Sequence, residues 1–188
     1  MAVPTDPLLA TQWHLNQTIF GLLDLNVLGA WQLGYTGAGT RTVVIDDGFD
    51  YTHSDLAPNY DTGLDFDWDA NNNGDGVNDF DPFGQSFDAH GTAVAGIIGA
   101  DDNGTGAVGV AFDTSLIGYR IHGFINDGWL QDIRDSIHHA AVSAGADVTN
   151  ISQGIANDEN SEFGVGYNSV RFDEIETSIG TAPTRPAT

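Results

Sequence analysis

Arg41-Thr42-Val43-Val44-Ile45 is an unbroken strand-type run that stops at Asp46-Asp47-Gly48. No other segment constrains the fold as tightly. A strand that is apolar at consecutive positions has both faces covered. The covering elements can be read from the chain. His90-Gly91-Thr92-Ala93-Val94-Ala95-Gly96 opens a helix that runs to about Ala100, and its small residues let it lie close on a sheet. A Gly-rich loop over 101–109 then leads to a strand through Leu116-Ile117-Gly118-Tyr119-Arg120. The next helix covers 127–145, with Asp127 as its cap and Leu130, Ile133, Ile137, Ala140 and Ala144 on its apolar face. Asp147-Val148-Thr149-Asn150-Ile151-Ser152 follows as a strand, and 170–179 as a weaker helix. This alternation predicts an α/β fold, a parallel doubly wound sheet with right-handed crossovers. Upstream, helical spacing over 22–31 predicts a helix capped by Asp24 and stopped near Gly34, ahead of a turn over 34–39.

Residues 50–88 are rich in Asp, Asn and Gly and poor in regular signals. A loop of that length inside a compact domain is usually functional or held by ligands. Composition sharpens the point: 27 acidic residues stand against 5 basic ones, for a formal net charge of −22. Of the acids 23 are Asp, and the four Glu (Glu159, Glu162, Glu174, Glu176) lie toward the C-terminus. Asp is a poor helix former but a good turn, cap and cation ligand, so the bias points to loops. Such a field repels nucleic acid and anionic membrane, which argues against both as partners. Divalent cations would relieve it, calcium first. Cysteine is absent, so disulfides and thiolate metal sites are excluded. No apolar run reaches the ~18 residues of a membrane span. Residues 1–7 have neither the basic nor the apolar region of a secretory signal.

Asp46 and His90 carry the chemistry. An imidazole acting as general base needs a carboxylate on one ring nitrogen and an open second nitrogen. A helix N-terminus behind a loop holds such a ring rigidly. The C-terminal end of a parallel strand is where open α/β sheets place functional groups. Taken singly, each residue has a plainer reading, Asp46 as a strand-end cap and His90 as an exposed or capping histidine. Their order on consecutive elements favours the catalytic one. His14, His53, His122, His138 and His139 have no comparable setting and read as structural.

Asp46-Asp47-Gly48, His53-Ser54-Asp55-Leu56 and His90-Gly91-Thr92 together resemble the subtilisin-like serine proteases, more narrowly their kexin/furin branch. The opening is similar to that branch too, through Asp6-Pro7, Gln12-Trp13-His14-Leu15, Asp24-Leu25-Asn26-Val27, Ala30-Trp31 and Gly34-Tyr35-Thr36-Gly37. The likeness covers about residues 6–182. It implies the N-terminal part of a peptidase domain over 1–182, with an aberrant tail over 183–188. It further implies peptide-bond hydrolysis by an Asp/His/Ser triad, with Asp46 the triad aspartate and His90 the general base. Asp47 would be a cleft-wall acid near the substrate's basic side chains. Ser152 and Gly154 would belong to the strand whose backbone pairs with substrate, Gln153 standing where the family has Trp or Leu.

The resemblance also implies calcium. One site would draw on Asp6, Asp55 and Asn103 with the backbone carbonyls of Asp101, Thr105 and Ala107, and a further site on Asp65 and Asp67. Separately, Asp69-x-Asn71-x-Asn73-Gly74-Asp75 reproduces the first ligand positions of an EF-hand loop. Phe80 in the twelfth place and the lack of flanking helical patterns exclude a complete EF-hand. A loop-held calcium and a plain acidic loop both remain open.

The family's nucleophile sits in a Gly-Thr-Ser segment, and none occurs in these 188 residues. Its oxyanion-hole Asn falls on a strand beyond them. Ser152, on a substrate-pairing strand, is placed away from the imidazole. The expectation is a calcium-dependent serine endopeptidase present as a fragment and inactive alone. It would act on protein or peptide substrates once a second chain or downstream segment supplies the Ser half. Pro183-Thr184-Arg185-Pro186-Ala187-Thr188 breaks the pattern and suggests a frameshift or assembly break near residue 182. An extracellular location is expected for the full-length protein. The alternative is a non-catalytic acidic module that binds calcium or a partner.

Overall fold

The computed structural model describes residues 3–17, 22–68, 81–84, 88–121 and 127–152. Four strands form one parallel sheet: β1 Arg41–Asp46, β2 Phe66–Asp67, β3 Ser115–Arg120 and β4 Val148–Ile151, in the order β2-β3-β1-β4. β1 lies between β3 and β4, with Asp46 in register with Arg120 and Ile45 with Ile151. The helices are α1 Leu28–Gln32, α2 His90–Gly99 and α3 Asp127–His139. α3 continues as a π-helical turn, Ala140–Ala144, and stops at Gly145 in the left-handed conformation. This is the α/β, parallel arrangement that the alternating pattern predicts.

Alternate residues of the central strands enter different cores, which explains why β1 is apolar at the consecutive positions Val43, Val44 and Ile45. Val43, Ile45, Ile117 and Tyr119 pack with Trp129, Ile133, Ile137, Ala140 and Ala144 from the α3 side. Val44 and Leu116 pack with Phe49, Leu56 and Ala95 of α2. Each fully buried aliphatic side chain contributes about 1.5–3 kcal/mol, so a sheet covered twice is stabilised from both faces. A third cluster, Leu9, Leu15, Trp31, Val108 and Phe112, fixes the N-terminal segment against the loop after α2.

α2 buries Gly91, Ala95 and Gly99, one residue per turn of one face. A Cβ on Gly91 would stand 2.5 Å from the Gly48 carbonyl oxygen and 2.9 Å from the Asp46 Cβ. Glycine there lets the first turn of α2 rest directly on the end of β1.

Two expectations need correction. The segment 22–31 is helical only over Leu28–Gln32. Asp24 does not cap a helix: its carboxylate accepts the N–H groups of Gln17 at 2.9 Å and Asn26 at 2.7 Å. Asn26 adopts φ 54, so local Asx-turn chemistry overrides the helical spacing. Residues 50–88 also hold regular structure, since β2 pairs with β3 and Tyr60 bridges to Leu116. The predicted helix over 170–179 and the tail over 183–188 lie outside the described residues. Among the described residues no helix is long and apolar enough to cross a membrane.

Candidate active site

Asp46 ends β1 and is fully buried, while the His90 side chain, opening α2, is 57% exposed. The His90 Nδ1 lies 2.8 Å from Asp46 Oδ1, a hydrogen bond between elements that the Gly91 contact holds together. The carboxylate fixes the proton on Nδ1 and leaves Nε2 as the nitrogen able to exchange one. Asp46 Oδ1 also accepts the Asp47 N–H at 2.8 Å. Asp46 Oδ2 is buried with no hydrogen-bond partner among the described residues. The hydrogen bond and charge of Asp46 raise the pKa of His90 above its ordinary value. Burial pushes Asp46 up, and the His90 bond opposes that shift. A buried carboxylate sharing a proton with an exposed, more basic imidazole is suited to general-base work.

Asp47 supports the pair in a way the sequence did not suggest. Its carboxylate accepts the N–H of Gly91 at 2.7 Å and that of His90 at 3.3 Å. α2 has no cap from its own N-cap residue, Ala89, so Asp47 supplies the acceptor that the helix start needs. Ser152 follows β4 and is exposed, and its hydroxyl donates to Asn150 Oδ1 at 2.9 Å. Gly154 lies outside the described residues.

The three segments of the first calcium constellation meet in space. Asp6 and Asp55 are buried, 3% and 6% exposed. Asp6 Oδ1 accepts the Gly104 N–H, Asp55 Oδ2 accepts the Ala107 N–H at 2.9 Å, and Asn103 donates to the Ser54 carbonyl. Asn103 Oδ1 in turn accepts from Thr105, and the Asp101 N–H donates to the Asp55 carbonyl. Asp6 Oδ2 is buried without a hydrogen-bond partner among the described residues. Burial, then the charges of Asp102 and Asp55, raise the pKa of Asp6; burial, then Asp113 and Asp6, raise that of Asp101. Burial and neighbouring negative charge both disfavour the ionised carboxylates here. Among the described residues no three His, Cys, Asp or Glu side chains gather as a metal cage. A cation here would therefore take much of its shell from carbonyls and an amide.

Asp65 and Asp67 diverge. Asp65 is half-buried, and burial followed by the charge of Asp81 raises its pKa to about 7. Asp67 is buried beside Arg120, its Oδ2 3.4 Å from Nη1. Asp69, Asn71, Asn73 and Asp75 lie outside the described residues.

The Subtilase family model matches residues 37–179. The chain belongs to the subtilase family. Similar curated proteins include neuroendocrine convertase 2 of Caenorhabditis elegans, 39% identical over an alignment of 129 residues that covers 63% of this chain and 18% of that protein. The human neuroendocrine convertase 2 is 39% identical over 62% of this chain and 18% of its own length. Furin-like protease 2 of Drosophila melanogaster is 41% identical over 65% of this chain and 7% of its own length. The chain thus spans less than a fifth of the length of each of these three curated relatives. Among solved structures, a protease of Pseudoalteromonas arctica PAMC 21717 aligns with TM-score 0.76 and 28% identity, over 95% of this chain and 56% of the other. The serine protease of Aeromonas sobria aligns with TM-score 0.66 and 29% identity, over 84% and 28%. The parallel sheet with flanking helices is the one these proteases share.

The sequence reading gave no place to Arg120, which is buried at the end of β3 against Asp47, Asp67 and Asp88. The available signal was a lone cation closing an otherwise apolar strand, in a chain with only five basic residues.

Proposed function

We propose that this chain supplies the Asp/His half of a calcium-dependent serine endopeptidase site. The observation that carries the reading is the 2.8 Å bond from His90 Nδ1 to the buried carboxylate of Asp46. In this reading His90 Nε2 takes the proton from a serine hydroxyl as it attacks the substrate carbonyl, then returns it to the leaving amine. Asp46 holds the tautomer and stabilises the imidazolium. The nucleophile and oxyanion donors come from a segment or chain outside these 188 residues, and protein or peptide is the substrate. Asp47 has both carboxylate oxygens on the start of α2, which supports a positioning role beside that of cleft wall. Ser152 and Gly154 would pair with substrate backbone.

Among the described residues, those around Asp6 fit calcium: Asp6 has a buried oxygen without a hydrogen-bond partner there and feels the charges of Asp102 and Asp55. Asp6, Asp55 and Asn103 would hold it, with carbonyls of Asp101, Thr105 and Ala107. When bound, the ion would neutralise these acids and tie the N-terminal segment to the α2 loop. At the second location Asp65 is the better donor, because Asp67 already has a cationic neighbour. Millimolar extracellular calcium suits such sites, which supports an extracellular setting for the whole protein.

A fluorophosphonate probe tests the division of labour. It is expected to leave the 188-residue chain unlabelled and to label an assembly that also carries the serine segment. Stoichiometric labelling of the chain alone would show that it holds its own nucleophile and would overturn the proposal.

A further inference from the structure

Arg120 ends β3 directly beside Asp46 in the sheet register and is 1% exposed. A guanidinium carries five N–H donors in a fixed planar fork and keeps its charge when buried. Here Nε donates to the Asp47 carbonyl at 2.9 Å and Nη2 to Asp88 Oδ2 at 2.9 Å, while Nη1 lies 3.4 Å from Asp67 Oδ2. Two of these three contacts fall on the supports of the Asp46–His90 pair. Asp47 follows Asp46, donates its own N–H to that carboxylate, and caps the first turn of α2. Asp88 stands two residues before His90 on the segment that enters α2. The third contact, with Asp67, anchors the fork to β2.

Stability alone is a weak reason for this arrangement, because an apolar side chain of similar volume often replaces a buried ion network without loss. What the apolar side chain could not do is fix three separate backbone segments in one geometry. We propose that Arg120 is a positioning residue for the Asp46–His90 pair. It locks the backbone after Asp46 and the segment before His90 into one unit, so that carboxylate and imidazole hold their separation. The inference rests on reading Asp46 and His90 as the catalytic pair. It assigns Arg120 no contact with substrate.

Charge and geometry are separable through Arg120→Lys. Lysine keeps the cation but loses the planar fork, so it cannot serve Asp47, Asp67 and Asp88 together. The readout is the Nδ1 proton of His90 by NMR in the 188-residue chain, with folding followed by circular dichroism. A proton held between imidazole and carboxylate resonates far downfield and exchanges slowly with water. In folded Arg120→Lys its exchange is expected to be about tenfold faster, the scale of weakening one hydrogen bond. An unchanged shift and exchange rate in a folded Arg120→Lys would overturn the proposal. Should that variant lose cooperative unfolding, Asp88→Ala decides. It removes the acceptor from one arm of the fork, and faster exchange supports the brace while wild-type exchange sinks it. Asp46→Asn is the control for the underlying reading. If the downfield proton survives that change, the pair itself is absent and the brace with it, an outcome distinct from an unaltered Arg120→Lys.

Discussion

His90→Ala, in an assembly that carries the serine segment, is expected to lower kcat/KM by about 10⁴-fold or more, with KM little changed. The loss falls on kcat because the proton transfer exists only in the transition state. Asp46→Asn is expected to cost a similar ~10⁴-fold, by a different route. The amide keeps the shape of the side chain but presents no charge to the imidazolium and no longer enforces a proton on Nδ1. Its signature is in the pH profile. Asp46 raises the pKa of His90, so the acid limb of the wild-type profile is shifted upward from the ordinary histidine value. Removing the carboxylate moves that limb to lower pH. Progress curves with a peptide substrate from pH 5 to 9 check both the size of the loss and the direction of the shift. A loss under tenfold in either variant would place the chemistry elsewhere.

Calcium is expected to raise the melting temperature of the chain by about 5–10 °C when it is present at a hundredfold excess over its dissociation constant. That excess contributes about 2.7 kcal/mol, and 1 kcal/mol moves the transition by roughly 2–4 °C in a domain of this size. Asp6→Asn should remove the response. It should also raise the melting temperature in EGTA, because the buried carboxylate is then repelled by Asp102 and Asp55. The opposite signs separate a cation site from a general effect of charge. The pH dependence follows the same logic. Asp65 has its pKa raised to about 7 in the folded chain, so the folded state binds a proton more readily than the unfolded one. Without calcium, Asp65 and His90 should therefore both add stability as pH falls from about 8 toward 5, opposed by His139, whose burial lowers its pKa. Bound calcium favours the ionised carboxylates and should flatten or reverse that slope. Scanning calorimetry at three pH values, with and without the ion, reads all of these effects. Equal melting temperatures in calcium and EGTA would contradict the assignment.

Periodic and consecutive apolar signals were legible because they report burial, which the fold obeys. β1, α2, β3 and β4 sit within a residue or two of the expected bounds, as does α3 with its π-helical turn. Asp46 and His90 were legible for another reason: each closes or opens a regular element, where a side chain has a fixed exit. What was not legible shares a cause. Helical spacing over 22–31 lost to the Asp24 Asx-turn, a local polar contact that no periodicity records. Asp47 at the start of α2, and Arg120 between Asp47, Asp67 and Asp88, depend on bonds between segments far apart in sequence. A charged side chain looks the same in a sequence whether it is solvated or buried in a network. The fold shows which it is: Arg120 is 1% exposed and bonded to three segments.

In the proposed function Asp46 and His90 form a working acid–base pair. NMR titration of the His90 imidazole, in the wild-type chain and in Asp46→Asn, reads that pairing without any substrate. A wild-type midpoint above the ordinary histidine value of about 6.5 is expected, with a clear fall when Asp46 becomes Asn. If His90 titrated at the same pH in both proteins, the two side chains would not be a pair.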